Sequence, residues 1–181
     1  MTVEDIEIIN LLKNDQTFNK GFNILYRKYS RKLYQSVRRI VITHEDTDEI
    51  LQRLWIKVWK NIHSFRGDAQ LYTWLYRIAY NESISFVNSK KKFFFFQVED
   101  TSKSLVAKLE AAPDFDGDEI HKKLLAAVLQ LPQKQQQVFQ MKYFEDLKYE
   151  EIAEITGTSV GALKANYHAA VKKVEKFFEA D

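Results

Sequence analysis

The chain has 181 residues, 45% apolar and 14% aromatic, enough for one large or two small packed domains and too apolar for a disordered tail. Only five glycines and two prolines are present, which points to helices on short loops, and the absence of cysteine excludes a disulfide scaffold, a thiolate zinc site and a Cys nucleophile. The net charge of +2 hides an asymmetry: residues 1–96 carry +6, residues 97–119 carry −5 and residues 120–181 carry +1. That pattern predicts an all-α chain of two small helical domains, 1–96 and 120–181, joined by a flexible acidic linker over 97–119. The start, MTVEDIEIINLLKND, lacks the basic flank of a signal peptide. No apolar run approaches the ~20 residues of a membrane span, so the expected location is the cytoplasm.

In chain order, Phe18, Phe22, Leu25, Tyr26, Tyr29, Leu33, Val37 and Ile40 recur at three- and four-residue steps and predict one long amphipathic helix. Ile50, Leu51, Leu54, Trp55, Val58, Trp59 and Ile62 predict a second, with Asp46 or Thr47 placed to cap it. Its other face carries Glu49, Gln52, Arg53, Lys57 and Lys60. A break follows at His63–Asp68, where Gly67 permits a tight turn and Asp68 suits the N-cap of a third helix over Leu71–Ala79. In the acidic spacer, Pro113–Gly117 is turn-rich, and Leu105–Leu109 has room for a short helix.

The last block predicts a helix over Leu124–Leu131 stopped by Pro132, and another from Gln133 to Phe144. From Tyr149 to Asn166 the pattern is that of a helix-turn-helix. Ala153 is small where two helices approach, Gly157 suits a left-handed turn residue, Ser159 suits a cap, and Leu163 reaches the shared core. In such a motif the second helix enters the major groove.

These strings carry a family resemblance. Asp48-Glu-Ile-Leu-Gln52-Arg-Leu-Trp55-Ile-Lys-Val-Trp59 resembles the conserved region 2 helix of the extracytoplasmic-function sigma factors of bacterial RNA polymerase. Phe65-Arg-Gly-Asp-Ala-Gln-Leu-Tyr-Thr-Trp74-Leu-Tyr-Arg77-Ile-Ala-Tyr-Asn81 resembles the loop and helix that follow it there. Leu131 through Lys173 resembles region 4 of the same family, with Tyr-Glu-Glu-Ile-Ala-Glu-Ile at its centre.

The resemblance implies a promoter-specificity factor whose partners are promoter DNA and core RNA polymerase, through the β′ clamp helices and the β flap. Asp48, Glu49, Gln52, Arg53 and Lys57 occupy the docking helix. Phe65, Arg66, Gly67 and Asp68 belong to the loop that captures a flipped base of the opened −10 element, and Trp74, Arg77 and Asn81 to the helix facing that strand. Aromatic faces, amides and cations are the groups an unstacked strand needs. In region 4, Lys164, Ala165, His168 and Ala169 match positions that read the −35 duplex, with Tyr149 and Ser159 as phosphate contacts and Asn166, His168, Lys172 and Lys173 as the polar groups available to the DNA. Asn pairs with adenine and Lys reaches guanine or phosphate. Many relatives have Arg where this chain has Ala169 and Val171, which leaves the −35 preference open. An anti-sigma factor, often membrane-bound in relatives, is a further implied partner.

Plainer readings stand beside these. Trp55 and Trp59 read as core tryptophans, Trp74 is open between core and strand contact, and His168 between an exposed histidine and a contact. Glu45, Asp46, Asp48 and Glu49 read as a solvated helix start and not a cation site. His44, His63, His121 and His168 have no metal-ligand spacing, and no phosphate loop or serine elbow is present, so no cofactor, small-molecule substrate or enzyme activity is expected. The alternative function is a helix-turn-helix repressor or activator with a helical N-terminal domain. The run Phe93–Phe96 is open between a partner-covered surface and packing under the linker.

Overall fold

The computed structural model describes residues 2–93, 101–112 and 119–179. Every regular element among them is helical, and the chain divides into two compact units, Met1–Lys92 and Phe93–Asp181. The turn cluster Pro113–Gly117 and most of the run Phe93–Phe96 lie outside the described residues.

The first unit is built on α1 (Val3–Leu12), α2 (Phe18–Val41), α3 (His44–Asn61), a 3-10 turn (Ile62–Ser64) and α4 (Leu71–Phe93). Helix α1 begins at a reciprocal cap: the Asp5 amide donates to Thr2 Oγ1 at 3.1 Å, and the Thr2 amide donates to Asp5 Oδ2 at 3.3 Å. It lies so close to α2 that a Cβ on Gly21 would stand 2.8 Å from the Leu11 Cβ, a contact no side chain tolerates. Glycine there is a requirement of packing.

Between α2 and α3 the chain turns on Ile42, whose φ of 69° is rare for a β-branched residue. The Thr43 amide closes a three-residue turn on the Val41 carbonyl at 2.9 Å. Strain of this kind costs about 1–3 kcal/mol. Ile42 is fully buried, which returns about 1.5–3 kcal/mol and offsets it. Helix α3 is then capped by Thr43, which accepts from the Asp46 amide at 3.3 Å. Asp46 and Thr47, the expected caps, lie inside the first turns: Asp46 pairs with Lys90 at 2.6 Å and Thr47 is buried. Helix α4 starts later than the Asp68 cap would require, with the Gln70 carbonyl taking the Trp74 amide at 3.1 Å.

The second unit comprises α5 (Thr101–Glu110), α6 (Glu119–Leu129), α7 (Gln133–Phe139) continuing through a π turn (Gln140–Phe144), α8 (Tyr149–Thr156) and α9 (Val160–Glu179). Pro132 starts α7, its carbonyl taking the Gln135 and Gln136 amides at 2.8 and 2.9 Å. The core gathers Val128, Leu131, Phe139, Ala170 and Val174, with α9 crossing α6, α7 and α8. Helix α5 packs on α6 and buries Leu109, so Thr101–Glu110 of the expected linker is a helix of this unit.

Candidate nucleic-acid and protein interfaces

The five residues expected on the docking helix do not share one surface. Asp48, Glu49 and Gln52 line an open groove of about 650 Å³ between α3 and α2, opposite Tyr26, Arg31 and Tyr34. Arg53 pairs with Glu49 and places its guanidinium 5.7 Å from the Phe86 ring of α4, while Lys57 pairs with Glu82 of α4. The cations therefore turn toward α4 and the acids and amide toward α2. The groove carries carboxylates and an amide on one wall, a guanidinium and phenols on the other, which suits a polar helix surface.

Sequence reading missed the aromatic ridge that continues this groove. Phe18, Phe22 and Tyr26 of α2 interleave with Trp55, Trp59 and His63, each row spaced four residues apart. Ring centroids lie 4.7 Å apart for Phe18–Trp59 and Phe22–Trp59 and 4.9 Å for Tyr26–Trp55. The expectation of core tryptophans is corrected here: Trp59 is 45% exposed and Trp55 half-buried at the groove wall. The shared four-residue step was the available signal, but it gives a common face without saying whether anything covers it.

At the −10 candidate, Phe65 is buried and its ring centroid lies 5.5 Å from that of Trp74. Phe65 is thus the floor of the loop and not a group offered to a base. Arg66, Gly67 and Asp68 are exposed, and Gly67 turns the chain at φ 86°, where a side chain would be strained. Trp74 is half-buried; Arg77 and Asn81, three and seven residues on, are exposed on the same side of α4. The arrangement offers an aromatic edge, a cation and an amide in a row behind a tight loop.

In the second unit, Gly157 adopts φ 66° and its amide donates to the Ala153 carbonyl at 2.8 Å, closing α8 as the motif predicts. Ser159 caps α9, its Oγ accepting from the Ala162 amide at 3.4 Å. Ala165, His168 and Lys172 share the exposed face of α9. Asn166 stands off it, half-buried, with Nδ2 donating to the Ala162 carbonyl at 2.9 Å. Lys164 leans the other way, over the Tyr149 ring of α8. Burial, then the neighbouring Tyr149 and Tyr143 phenols, raise the Tyr167 pKa, which keeps that phenol a neutral donor. Among the described residues no three His, Asp or Glu side chains converge as a metal site requires, and no helix is long and apolar enough to cross a membrane.

Residues 25–93 match the family described as Sigma-70 region 2, and residues 121–174 that described as Sigma-70, region 4. The RNA polymerase sigma-H factor of Pseudomonas aeruginosa is 26% identical over 168 residues, covering 87% of this chain and 86% of that protein. The ECF RNA polymerase sigma-E factor of Escherichia coli is 27% identical over 187 residues, covering 95% and 92%. Among solved structures, the sigma factor RpoE of Bartonella quintana, in complex with the anti-sigma factor NepR, has a TM-score of 0.70 at 18% identity, covering 90% of this chain and 99% of that one. CnrH, in complex with the cytosolic domain of CnrY, has a TM-score of 0.69 at 18% identity, covering 98% of both chains. These two likenesses establish a shared fold.

Proposed function

This chain belongs to the sigma-70 family, as an extracytoplasmic-function sigma factor that brings RNA polymerase to promoters, and from that premise we propose how its surfaces divide the work. The first unit, taken as residues 1–96, docks on core polymerase through the α2–α3 groove, with Asp48, Glu49 and Gln52 facing the β′ clamp helices and Arg53 and Lys57 bracing α3 on α4. Its loop Arg66–Asp68, with Trp74, Arg77 and Asn81, holds the opened −10 strand. The second unit, residues 120–181, meets the β flap and lays the exposed face of α9 in the −35 duplex. The protein adds no chemistry of its own and acts in the cytoplasm. An anti-sigma factor is its proposed regulator, by analogy with the RpoE neighbour solved with one. The region 2 match removes the sensing domain that the repressor alternative would need.

The observation that carries this reading is the pair of dissimilar nucleic-acid faces on two units. One offers an aromatic edge and an amide behind a tight loop, suited to bases out of the stack; the other offers a groove-sized helix, suited to duplex. The two are separable by variant. Trp74→Ala and Asn81→Ala in holoenzyme are expected to weaken binding to a premelted −10 probe by roughly tenfold, in line with about 1–3 kcal/mol per stacked base, and to spare a −35 duplex. His168→Ala and Lys172→Ala are expected to do the reverse. Equal losses on both probes in all four variants would refute the division of labour.

A further inference from the structure

The polar groove occupies only part of the α2–α3 face, and an apolar ridge continues it. Tyr26, Ile56 and Trp59 are 46%, 50% and 45% exposed, and Phe22 and Trp55 are half-buried beside them. The Phe22 ring centroid lies 4.7 Å from that of Trp59 and 5.9 Å from that of Trp55. A contiguous exposed apolar patch of this kind marks an interaction surface. At the other end of the face, Arg31 of α2 and Asp48 of α3 line opposite walls of the groove. Both are exposed, and among the described residues neither has an ion-pair partner, the other included.

The face is complementary to itself. Helices α2 and α3 run antiparallel, so Phe18 and Phe22 stand level with Trp59, Tyr26 with Trp55, and Arg31 with Asp48. A two-fold interface requires each patch to fit a second copy of itself. A dyad running along the groove lays α2 of one copy on α3 of the other and preserves each level. It sets ridge on ridge, and Arg31 of each copy on Asp48 of the other copy. A dyad across the groove would instead set the ridge on the charged end. The face extends over about 24 Å from Phe18 to Tyr34, at about 1.5 Å per residue, and about 20 Å across two helices. Two such faces bury roughly 1,000 Å² in total, the lower bound of a specific interface, which suits a reversible dimer.

We propose that this face pairs two copies of the chain, with the aromatic ridge at the centre of the contact and two Arg31–Asp48 ion pairs at its polar end. The pairing itself is independent of the reading that the groove docks on polymerase. Its consequence rests on that reading: the dimer covers Asp48, Glu49 and Gln52, so the paired protein is held out of holoenzyme, and core polymerase draws it off by binding the monomer.

Sedimentation equilibrium of the full chain reads the pairing directly. The wild-type protein is expected to pass from monomer to dimer with a dissociation constant between about 1 μM and about 1 mM, the range of small transient interfaces. Arg31→Glu and Asp48→Arg each set like charges together at both pairs and should weaken association by more than about tenfold. An equimolar mixture of the two variants should associate at the wild-type strength, because each changed side chain then meets its opposite in the other copy. Misfolded variants would give no such recovery. A monomer at every concentration, as expected of a face kept for a different protein, would overturn the proposal. So would single variants that dimerise like wild type, or a mixture that stays monomeric. Excess core polymerase should convert the dimer to holoenzyme with one copy of the chain; a dimer left intact by polymerase would refute the docking reading and not the pairing.

Discussion

Asp5 is 4% exposed, and its carboxylate accepts from three donors: the Thr2 amide at 3.3 Å, Lys28 Nζ at 2.9 Å and the Tyr29 hydroxyl at 2.5 Å. Burial alone would raise its pKa, but the bonds from Lys28, Tyr29 and Thr2 prevail and hold it below the ordinary aspartate range. Lys28 is pushed upward: burial lowers it, but the bonds it donates to Asp5 and Glu4 outweigh that. A depressed carboxyl contributes stability above its unfolded pKa, and that contribution fades as pH falls through the folded value. A raised ammonium contributes below its unfolded pKa and fades as pH rises through its folded one. The seam between α1 and α2 should therefore hold from about pH 4 to pH 10 and loosen on either side. Asp5→Asn leaves Lys28 partly unpaired and is expected to cost about 2–4 kcal/mol. Gly21→Ala drives a methyl into Leu11 and should cost about 1–3 kcal/mol. Both effects should appear as faster hydrogen exchange over residues 3–12, with α8 and α9 unchanged; protection equal to wild type would contradict the seam's role.

Elements differ in how well they could be read. The long stripe from Phe18 to Ile40 predicts α2, which runs Phe18–Val41, because a three-to-four-residue apolar step over six turns has few other solutions. Helix α1 has no counterpart among the elements that apolar spacing predicts, although Thr2 and Asp5 have the spacing of a capping box. The expected caps of α3 and α4 stand two or three residues from the observed helix starts at His44 and Leu71, since Asp46, Thr47 and Asp68 are cap-forming types that the tertiary structure uses otherwise or passes by. The helix expected over Gln133–Phe144 exists, but its last turn widens to a π turn. The Leu147 amide reaches the Met141 carbonyl at 3.1 Å. A change in hydrogen-bond register leaves no trace in apolar spacing. This turn is what brings Lys142 to within 5.6 Å of the Tyr149 ring centroid. The split of α3, the expected docking helix, is hidden for a similar reason: Arg53 and Lys57 have partners on α4, and periodicity along one helix does not name the neighbour on each side.

At the scale of the whole molecule, reach is the controlling quantity. Elements centred about 25 base pairs apart are separated by roughly 85 Å along the duplex, at ~3.4 Å per pair. The family matches end at residue 93 and resume at residue 121. Helix α5 shortens what lies between, because ten helical residues span about 15 Å where an extended strand spans about 33 Å. The acidic segment thus has little slack once both elements are held. Its net charge of −5 over residues 97–119 also repels the duplex. Removing ten residues from it is expected to abolish initiation at two-element promoters while each unit keeps its helices by circular dichroism; initiation at the wild-type level would show that the segment spaces nothing.

The central claim, that this chain selects promoters for RNA polymerase, is tested most directly by run-off transcription. Purified core polymerase would be offered a randomised promoter library with and without the protein. Transcripts are expected to start at a fixed distance downstream of one shared pair of −10 and −35 sequences and to be absent with core enzyme alone. Initiation indistinguishable from that of core enzyme, in number and in sequence, would contradict it.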